Sequence, residues 1–172
     1  PEASRTSQGR AIVNLLKLKD GENIVTFRNV EDFDNSEECL VFATSMGRVK
    51  RTAISEYQNV NRGGIHAIRL NDGDSLVDVI KTDGNTHILL ATALGKSIRF
   101  DENDARLMGR TAAGVRGIAL AEDDKVIGAV LAEDNADLLT MTENGYGKRT
   151  PMLEYLVHCE DGSTRAQSRG GK

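Results

Sequence analysis

The chain has 172 residues, of which 39% are hydrophobic and 28% are charged, and its formal net charge is −4. This composition is typical of a folded, water-soluble domain and excludes wholesale disorder, and no apolar run approaches the roughly 20 residues of a membrane helix. The net charge argues against nucleic acid as a partner when taken alone, so the distribution of the basic residues must decide that question.

The first strand candidates lie between clusters of turn-forming residues. Residues 9–18 form an extended apolar segment, and the turn 19–22 leads to a second strand at 24–27. An acidic loop follows. Residues 39–52 then predict a buried apolar strand, a glycine turn and a basic strand.

This pattern recurs twice. The turn glycines are Gly47, Gly95 and Gly145, so the spacings are 95 − 47 = 48 and 145 − 95 = 50 residues. Self-similarity of about 50 residues is typical of propeller blades and solenoids. The strands predicted in the later copies are 65–70, 76–80, 88–93 and 96–100, then 118–120, 126–131, 138–142 and 146–150.

Local signals refine these elements. Asn144-Gly145 is the strongest hairpin signal and predicts a type I′ turn, which needs a positive φ at both central residues. Helical periodicity is weak, and single helical turns fit best within 52–57, 102–108 and 152–155.

The elements predict an all-β, propeller-like array of four-stranded blades, with about three blades present. The repeats span about 9–58, 59–110 and 111–160, and a further repeat starts at 164–172. Closed propellers usually have 4–8 blades, so three units predict part of a larger wheel. Unpaired edges of the end blades predict self-association.

No catalytic, cofactor or metal motif emerges. The chain lacks a phosphate-binding Gly-Lys-Ser/Thr loop, and its acidic pairs lie in polar loops, where solvated surface is the simpler interpretation. The two cysteines and three histidines lack metal-ligand spacing. We expect free thiols in a reducing cytosol and no enzymatic activity or cofactor in this chain.

The basic residues recur at fixed places relative to each turn glycine. The first position holds Arg48, Lys96 and Tyr146, the third holds Lys50, Ile98 and Lys148, and the fourth holds Arg51, Arg99 and Arg149. The loops before each first strand, together with the chain end, add Arg10, Arg62, Arg110, Arg116, Arg165, Arg169 and Lys172. The fourteen lysines and arginines in these two sets are the candidate DNA contacts.

Two interpretations of this series remain open. Basic residues on an outermost strand can simply prevent edge-to-edge aggregation. Alternatively they form a curved track that neutralises successive DNA phosphates without reading the bases. The first and third positions share a face of the strand and are predicted to lie on the rim. The residues at the fourth position, Arg51, Arg99 and Arg149, point to the opposite face of the strand. They are either DNA contacts that a bulge moves outward or structural ties to a neighbouring blade.

Several motifs together resemble the C-terminal domain of the bacterial DNA gyrase A protein. They are G-R-A-I-V-N-L-L at 9–16, the A-T-x-x-G-x-x-x-R copies, T-A-A-G-V-R-G-I-A-L at 111–120 and N-G-Y-G-K-R-T at 144–150. The related topoisomerase IV protein has similar but more degenerate blades, and the first and last of these motifs favour gyrase.

The resemblance implies a β-pinwheel, commonly of six blades, whose blades exchange strands and whose basic rim wraps double-stranded DNA to support negative supercoiling. It implies association with the rest of gyrase A and with gyrase B, catalytic residues elsewhere in the enzyme, and a cytoplasmic, nucleoid-associated location. The nearest match to the family's basic box Q-R-R-G-G-K-G is 167–172, where Ser168 replaces an Arg and the last Gly is absent. A propeller that docks a protein partner is the alternative from another class.

Overall fold

In the computed structural model, the residues that can be described are 16, 18–34, 37–61, 63–161 and 163–166, with only the backbone described at 164 and 165. Strands and three short 3-10 helices account for the regular structure in these ranges, which confirms the predicted all-β class. The 3-10 helices are Ile54–Tyr57, Glu102–Asp104 and Met152–Tyr155. They lie within the three segments where single helical turns were expected.

Eleven strands are present in the described ranges. They are β1 (Cys39–Thr44), β2 (Arg48–Ala53), β3 (Leu76–Thr82), β4 (His87–Thr92), β5 (Ser97–Asp101), β6 (Val115–Arg116), β7 (Val126–Leu131), β8 (Asp137–Met141), β9 (Gly147–Pro151), β10 (Val157–His158) and β11 (Thr164–Arg165). The antiparallel pairs β1–β2, β4–β5 and β8–β9 are three copies of one hairpin.

Each hairpin closes with the same turn. The glycine N–H donates to the carbonyl of the threonine three residues earlier, at 2.9 Å for Gly47, 3.1 Å for Gly95 and 2.9 Å for Gly145. The threonine hydroxyl also accepts the N–H of the residue after the glycine. Gly145 has a φ of 81°, whereas Asp123 is the only non-glycine with a positive φ among the described residues. The type I′ prediction for Asn144-Gly145 is therefore wrong, because only the last residue of the turn is left-handed.

The sheets are assembled from strands of different repeats. β1 pairs on its other side with β3, and β4 pairs with β7, so each hairpin receives a strand from the repeat that follows it in the chain. The two-residue strand β6 then adds to the outer side of β2, which gives the order β3-β1-β2-β6. In the second sheet the order is β5-β4-β7. Exchange of strands between repeats is therefore built into this fold.

Among the described residues, three segments predicted as strands are not strands, and the predicted first strand at 9–18 lies outside those residues except for 16 and 18. Residues 24–27 are extended but unpaired, because no hairpin in the described ranges precedes them in the array. Residues 65–70 run as irregular chain, and Arg69 N–H bonds Ala112 O at 3.3 Å. At 118–120 the chain crosses the hairpin turn, where Gly117 and Ile118 both donate to Gly47 O. In the described ranges the first two repeats thus contribute fewer than the four strands predicted, whereas the third contains five, β6 to β10.

The core lies between the first two sheets. Val41, Val49, Ile88, Leu90 and Phe100 are among its buried members, and strands β3 and β7 contribute further aliphatic side chains. A smaller cluster of Leu89, Ala132 and Met152 joins the second sheet to the third hairpin. Successive hairpins therefore pack on one another in chain order, which places equivalent residues of each repeat along one array.

Candidate nucleic-acid interface

Arg48 begins β2, at the end of the strand next to the hairpin turn. Its Nε donates to Ala113 O at 3.0 Å and its Nη2 donates to Gly114 O at 2.6 Å. Arg116 of β6 lies directly opposite Arg48 in the antiparallel ladder. Directly opposed residues project from the same face, and like charges in this arrangement repel each other. Two arginines from different repeats are thus paired across adjacent strands, on one face of the sheet.

Two further arginines flank this pair. Arg110 Nη1 donates to His66 O at 3.0 Å, and the backbone of the exposed Arg69 is bonded to Ala112, next to the carbonyl that holds Arg48. We name Arg48, Arg69, Arg110 and Arg116 the β6 basic cluster. In the described part of the chain, none of the five salt bridges involves a member of this cluster.

Glycines allow the loop that contains Arg110 and Arg116 to approach β2. Gly114 has a φ of 82°, and a Cβ there would lie 2.5 Å from Val49 O. A Cβ on Gly117 would lie 2.6 Å from Val49 Cγ1. Only glycine fits at such distances, so these two residues set the position of Arg116 between them.

Lys50 is fully buried, with 0% of its surface exposed, and does not lie on the rim where the strand pattern placed it. Its Nζ donates to Ala67 O and, at 2.5 Å, to Arg110 O, and it lies 4.8 Å from the centre of the Phe42 ring. Burial, with a smaller contribution from the positive charge of Arg110, lowers the pKa of Lys50 to about 8. The rim prediction is wrong for Lys50 because β2 is covered by β6 and its loop, and is not the outermost strand.

Arg51 ties the first hairpin to the second repeat. Its Nη1 donates to Asn103 Oδ1 at 2.6 Å and lies 3.5 Å from the fully buried carboxylate of Glu102. Thr82 Oγ1 and Thr86 Oγ1 donate to the same carboxylate. Arg51 is therefore engaged with the 3-10 helix of the next repeat.

Arg99 makes the equivalent contact one repeat later and is 2% exposed. Its guanidinium donates to Met152 O at 2.7 Å and to Ala132 O at 3.1 Å, and it contacts Asp134. Its Nε donates to His87 Nδ1 at 3.2 Å. Of the two roles left open for the fourth position, the structure thus gives Arg51 and Arg99 the contacts of a tie to the next repeat.

The remaining described candidates are exposed. Lys96 follows the second turn, and Lys148 and Arg149 lie on β9 of the third hairpin. Arg149 Nε is 3.3 Å from Asp137 Oδ2 within the same hairpin, and its side chain is 77% exposed. The structure does not bring these three residues into contact with the β6 basic cluster, and they occupy later positions along the array.

Several candidates lie outside the described residues. These are Arg10, Arg62, Arg169 and Lys172, together with the whole basic-box-like segment 167–172 and the side chain of Arg165. Among the described residues, no group of three or more His, Cys, Asp or Glu side chains is arranged to hold a metal ion. No helix in the described ranges has the length and apolar character of a membrane span.

Sequence reasoning missed two parts of this site. Arg69 was not a candidate, although it is exposed and adjoins the cluster. Its place in the chain between two hairpins, like that of the other loop arginines, was the sequence signal that could have identified it. The role of Gly114 and Gly117 was also missed. Their spacing around Val115-Arg116 is a signal of close backbone approach, because a loop without Cβ atoms can lie on a strand.

Comparisons with known proteins agree with this architecture. A family model described as "DNA gyrase C-terminal domain, beta-propeller" matches residues 1–31, 40–83, 86–133 and 136–157. The DNA gyrase A protein of Staphylococcus epidermidis is 44% identical over all of this chain, and that of Salmonella typhimurium is 46% identical over 90% of it. The chain spans 18% of the length of each of these relatives.

Solved structures give the same result. A gyrase A C-terminal domain matches 96% of this chain and 52% of its own, with a TM-score of 0.78 and 27% identity. The C-terminal domain of a DNA topoisomerase IV matches 82% of this chain and 44% of its own, with a TM-score of 0.76 and 29% identity. These structures support the pinwheel prediction, while the relatives found by sequence favour gyrase over topoisomerase IV. The chain belongs to the DNA gyrase C-terminal domain family.

Proposed function

We propose that this chain binds and wraps double-stranded DNA through contacts to the phosphate backbone, as part of a gyrase A protein. The observation that supports this proposal is the β6 basic cluster, in which Arg48 and Arg116 lie directly opposite each other without a carboxylate partner in the described ranges. Such a pair is unfavourable by itself and becomes favourable when an anion lies between or above the two groups.

The contacts that hold the cluster suit this role. Arg48 is bound by two backbone carbonyls, which orient the guanidinium without neutralising its charge. The positive potential is also felt inside the blade, since Arg110 helps to lower the pKa of Lys50. Preoriented arginines lose little entropy when they bind phosphate, and contacts of this kind fix DNA without reading its sequence.

We propose that Lys96, which is exposed at the first position after its turn glycine, extends the contact surface along the array. Lys148 and Arg149 are equivalent to the buried Lys50 and Arg99, so they are kept only as candidate contacts. Arg10, Arg62, Arg165, Arg169 and Lys172 remain candidate contacts. We omit Lys50 and Arg99 as direct contacts because both are buried, and Arg51 because its guanidinium is bound to the next repeat. Wrapping bends the duplex, and the cost of bending is offset by contacts repeated from blade to blade.

In the complete enzyme, we infer that this domain supports ATP-dependent negative supercoiling, with the catalytic residues located elsewhere in the gyrase A and gyrase B proteins. We infer a cytoplasmic, nucleoid-associated location on the same grounds. The net charge of −4 does not oppose DNA binding, because the basic residues are clustered and the acidic ones are concentrated in other loops.

A salt titration of DNA binding tests the proposal. Arg116→Gln should weaken binding to a duplex of mixed sequence and reduce the slope of log K against log salt by about 0.9, the value for one lost phosphate contact. The matched control is Arg28→Gln, which removes an exposed arginine that is already paired with Asp78 at 2.9 Å. Fluorescence anisotropy from low to moderate salt measures both effects. An unchanged slope for Arg116→Gln would remove the β6 basic cluster from the proposed interface.

A further inference from the structure

His66 has the same place in its repeat as Arg116 has in the next. In each segment, one residue with a positive φ lies two positions before the side chain, and a second follows the first at the same distance, since 73 − 64 = 9 and 123 − 114 = 9. These residues are Gly64 at 79° and Gly73 at 77°, and Gly114 at 82° and Asp123 at 61°. A positive φ is rare outside glycine, so Asp123 indicates that both segments require the same backbone course.

The two segments also agree in burial and in hydrogen bonding. Ile65 and Val115 are half-buried, whereas His66 and Arg116, which follow them, are both exposed. The turn after each segment closes alike, because the N–H at 74 or 124 donates to the carbonyl three residues earlier, at 3.0 and 3.2 Å. The imidazole of His66 therefore occupies the outward position that the guanidinium of Arg116 has in the β6 basic cluster.

His66 adjoins two members of the β6 basic cluster. Arg110 Nη1 donates to His66 O at 3.0 Å, and the exposed Arg69 lies three residues further along the same segment. A neutral imidazole adds no charge to these cations, whereas a protonated one adds a charged donor. The position of His66 thus extends the basic surface only when the imidazole carries a proton.

The inner side of the segment is packed against a further cation. Lys50 Nζ and Tyr57 Oη both donate to the carbonyl of Ala67, the residue after His66. Glu56 is an acidic group on this side, and its charge acts on Lys50 and Tyr57. In the described part of the chain, no salt bridge joins His66 to a carboxylate. An anion that approaches from solvent is therefore the partner that would favour a charged imidazole.

We propose that His66 is a titratable contact to a DNA phosphate, so that this chain binds DNA more tightly when the imidazole is protonated. This inference rests on the proposed DNA-binding function and adds to it a residue and a pH dependence. Histidine normally changes its charge between about pH 5 and 8, whereas the arginines of the β6 basic cluster stay charged throughout. The same place in two successive repeats thus holds a permanent cation, Arg116, and a conditional one.

The contact couples DNA binding to the uptake of a proton. A phosphate oxygen accepts a hydrogen bond from the charged imidazole, and the proton comes from solvent when the imidazole was neutral before binding. For one such group, log K rises by at most about one unit for each unit by which the pH falls. The number of phosphate contacts rises as well, so the salt dependence of binding should steepen at low pH.

Fluorescence anisotropy with a mixed-sequence duplex at about pH 7.5 and about pH 5.5 measures this coupling. Lowering the pH should increase the affinity of the wild type about threefold more than that of His66→Gln, and the slope of log K against log salt should steepen by up to about 0.9 in the wild type alone. His66→Arg should bind more tightly than the wild type at the higher pH and match it at the lower one. Protonation of carboxylates and the titration of Lys50 are common to these proteins, so the comparison between variants removes them.

His158→Gln is the matched control, because it removes an exposed imidazole from β10, outside the two corresponding segments. It should keep the wild-type pH dependence. If His66→Gln keeps that dependence too, while all variants bind DNA at both pH values, His66 is not a phosphate contact and the proposed function is unaffected. A wild-type chain that binds no DNA at either pH would instead overturn the proposed function, and this inference with it.

Discussion

The first two hairpins and the third hairpin share a turn and a basic strand but differ in what covers them. Arg99 on β5 is 2% exposed and contacts the next repeat, whereas the side chain of the equivalent Arg149 on β9 is 77% exposed and contacts its own hairpin. The same holds for Lys50, which is buried, and Lys148, which is exposed. In this fold, the burial of a residue is decided by the repeat that follows it in the array.

This difference divides the basic residues into two groups. Arginines at the fourth position after the turn glycine bind the 3-10 helix of the next repeat when that repeat is present, as Arg51 and Arg99 do. Residues at the first position and in the glycine-containing loop, such as Arg48 and Arg116, meet on the surface from different repeats. The first group stabilises the array, and the second is the proposed DNA interface.

The largest effect on stability is expected when the contact of Arg99 with the next repeat is removed. Arg99→Met keeps most of the side-chain volume but leaves Met152 O and Ala132 O without their donor in a buried place. We expect a loss of about 3 kcal/mol in the free energy of unfolding, as for other broken buried charge contacts. Arg149→Met is the matched change in the third hairpin and should cost less than about 0.5 kcal/mol. Urea denaturation followed by circular dichroism measures both.

Equal losses for Arg99→Met and Arg149→Met would contradict the assignment of Arg99 as an inter-repeat tie. A second readout separates a tie from a general loss of stability. Amide hydrogen exchange should rise first in Met152–Tyr155 of the Arg99→Met variant, because that 3-10 helix loses its donor while β4 and β5 keep their ladder.

The turn glycines give an intermediate effect. Gly47→Ala and Gly145→Ala both place a Cβ on a left-handed residue, which costs about 1 kcal/mol in each case. In the first hairpin the new Cβ would also lie 2.9 Å from Ile118 Cγ2, while at Gly145 nothing lies within 4 Å. We therefore expect Gly47→Ala to be less stable than Gly145→Ala by about 1–2 kcal/mol. Thermal unfolding of the two variants at one protein concentration provides the comparison, and equal melting temperatures would contradict the crowding at Gly47.

The local parts of the fold could be predicted from the sequence. The turns at Gly47, Gly95 and Gly145 were located because glycine and threonine spacing is a local signal, and β7 was found with its observed bounds because its apolar run is bounded by turn residues. Pairing between repeats was not predictable from the strand patterns, since β1–β3 and β4–β7 join residues about 40 positions apart. Only the family resemblance indicated that blades exchange strands.

The sequence identified several residues of the candidate site but did not predict how they are arranged in space. Arg48 and Arg116 were candidates from their recurrent positions, but their direct opposition depends on β6, a two-residue strand with too little pattern to detect. Lys50 was misplaced because strand parity gives the face of a residue and not what covers that face. The carbonyls of Ala67 and Arg110 lie far from Lys50 in the chain, so its burial is a tertiary effect.

A further effect concerns Lys50 and appears as a pH dependence, with no change in the stability at neutral pH. Its pKa falls from 10.5 in the unfolded chain to about 8 in the folded one, mainly by burial. The unfolded state therefore binds more protons between these values, so this group makes the free energy of unfolding rise as pH increases from about 8 to 10.5. The rise cannot exceed about 1.4 kcal/mol for each pH unit. Lys50→Met should remove it.

The measurement is the difference between the pH profiles of wild type and Lys50→Met, obtained by urea denaturation. Burial raises the pKa of Cys39 and Tyr57, so each of these groups lowers the free energy of unfolding as pH rises above its ordinary pKa, but both groups are present in each protein and their effects largely cancel in the difference. Lys148→Met removes the same charge from the exposed strand of the third hairpin and should retain the wild-type rise. If Lys50→Met keeps that rise as well, the ammonium group is solvated in the folded protein, and the equivalent lysines of the first and third hairpins do not differ in the way their burial implies.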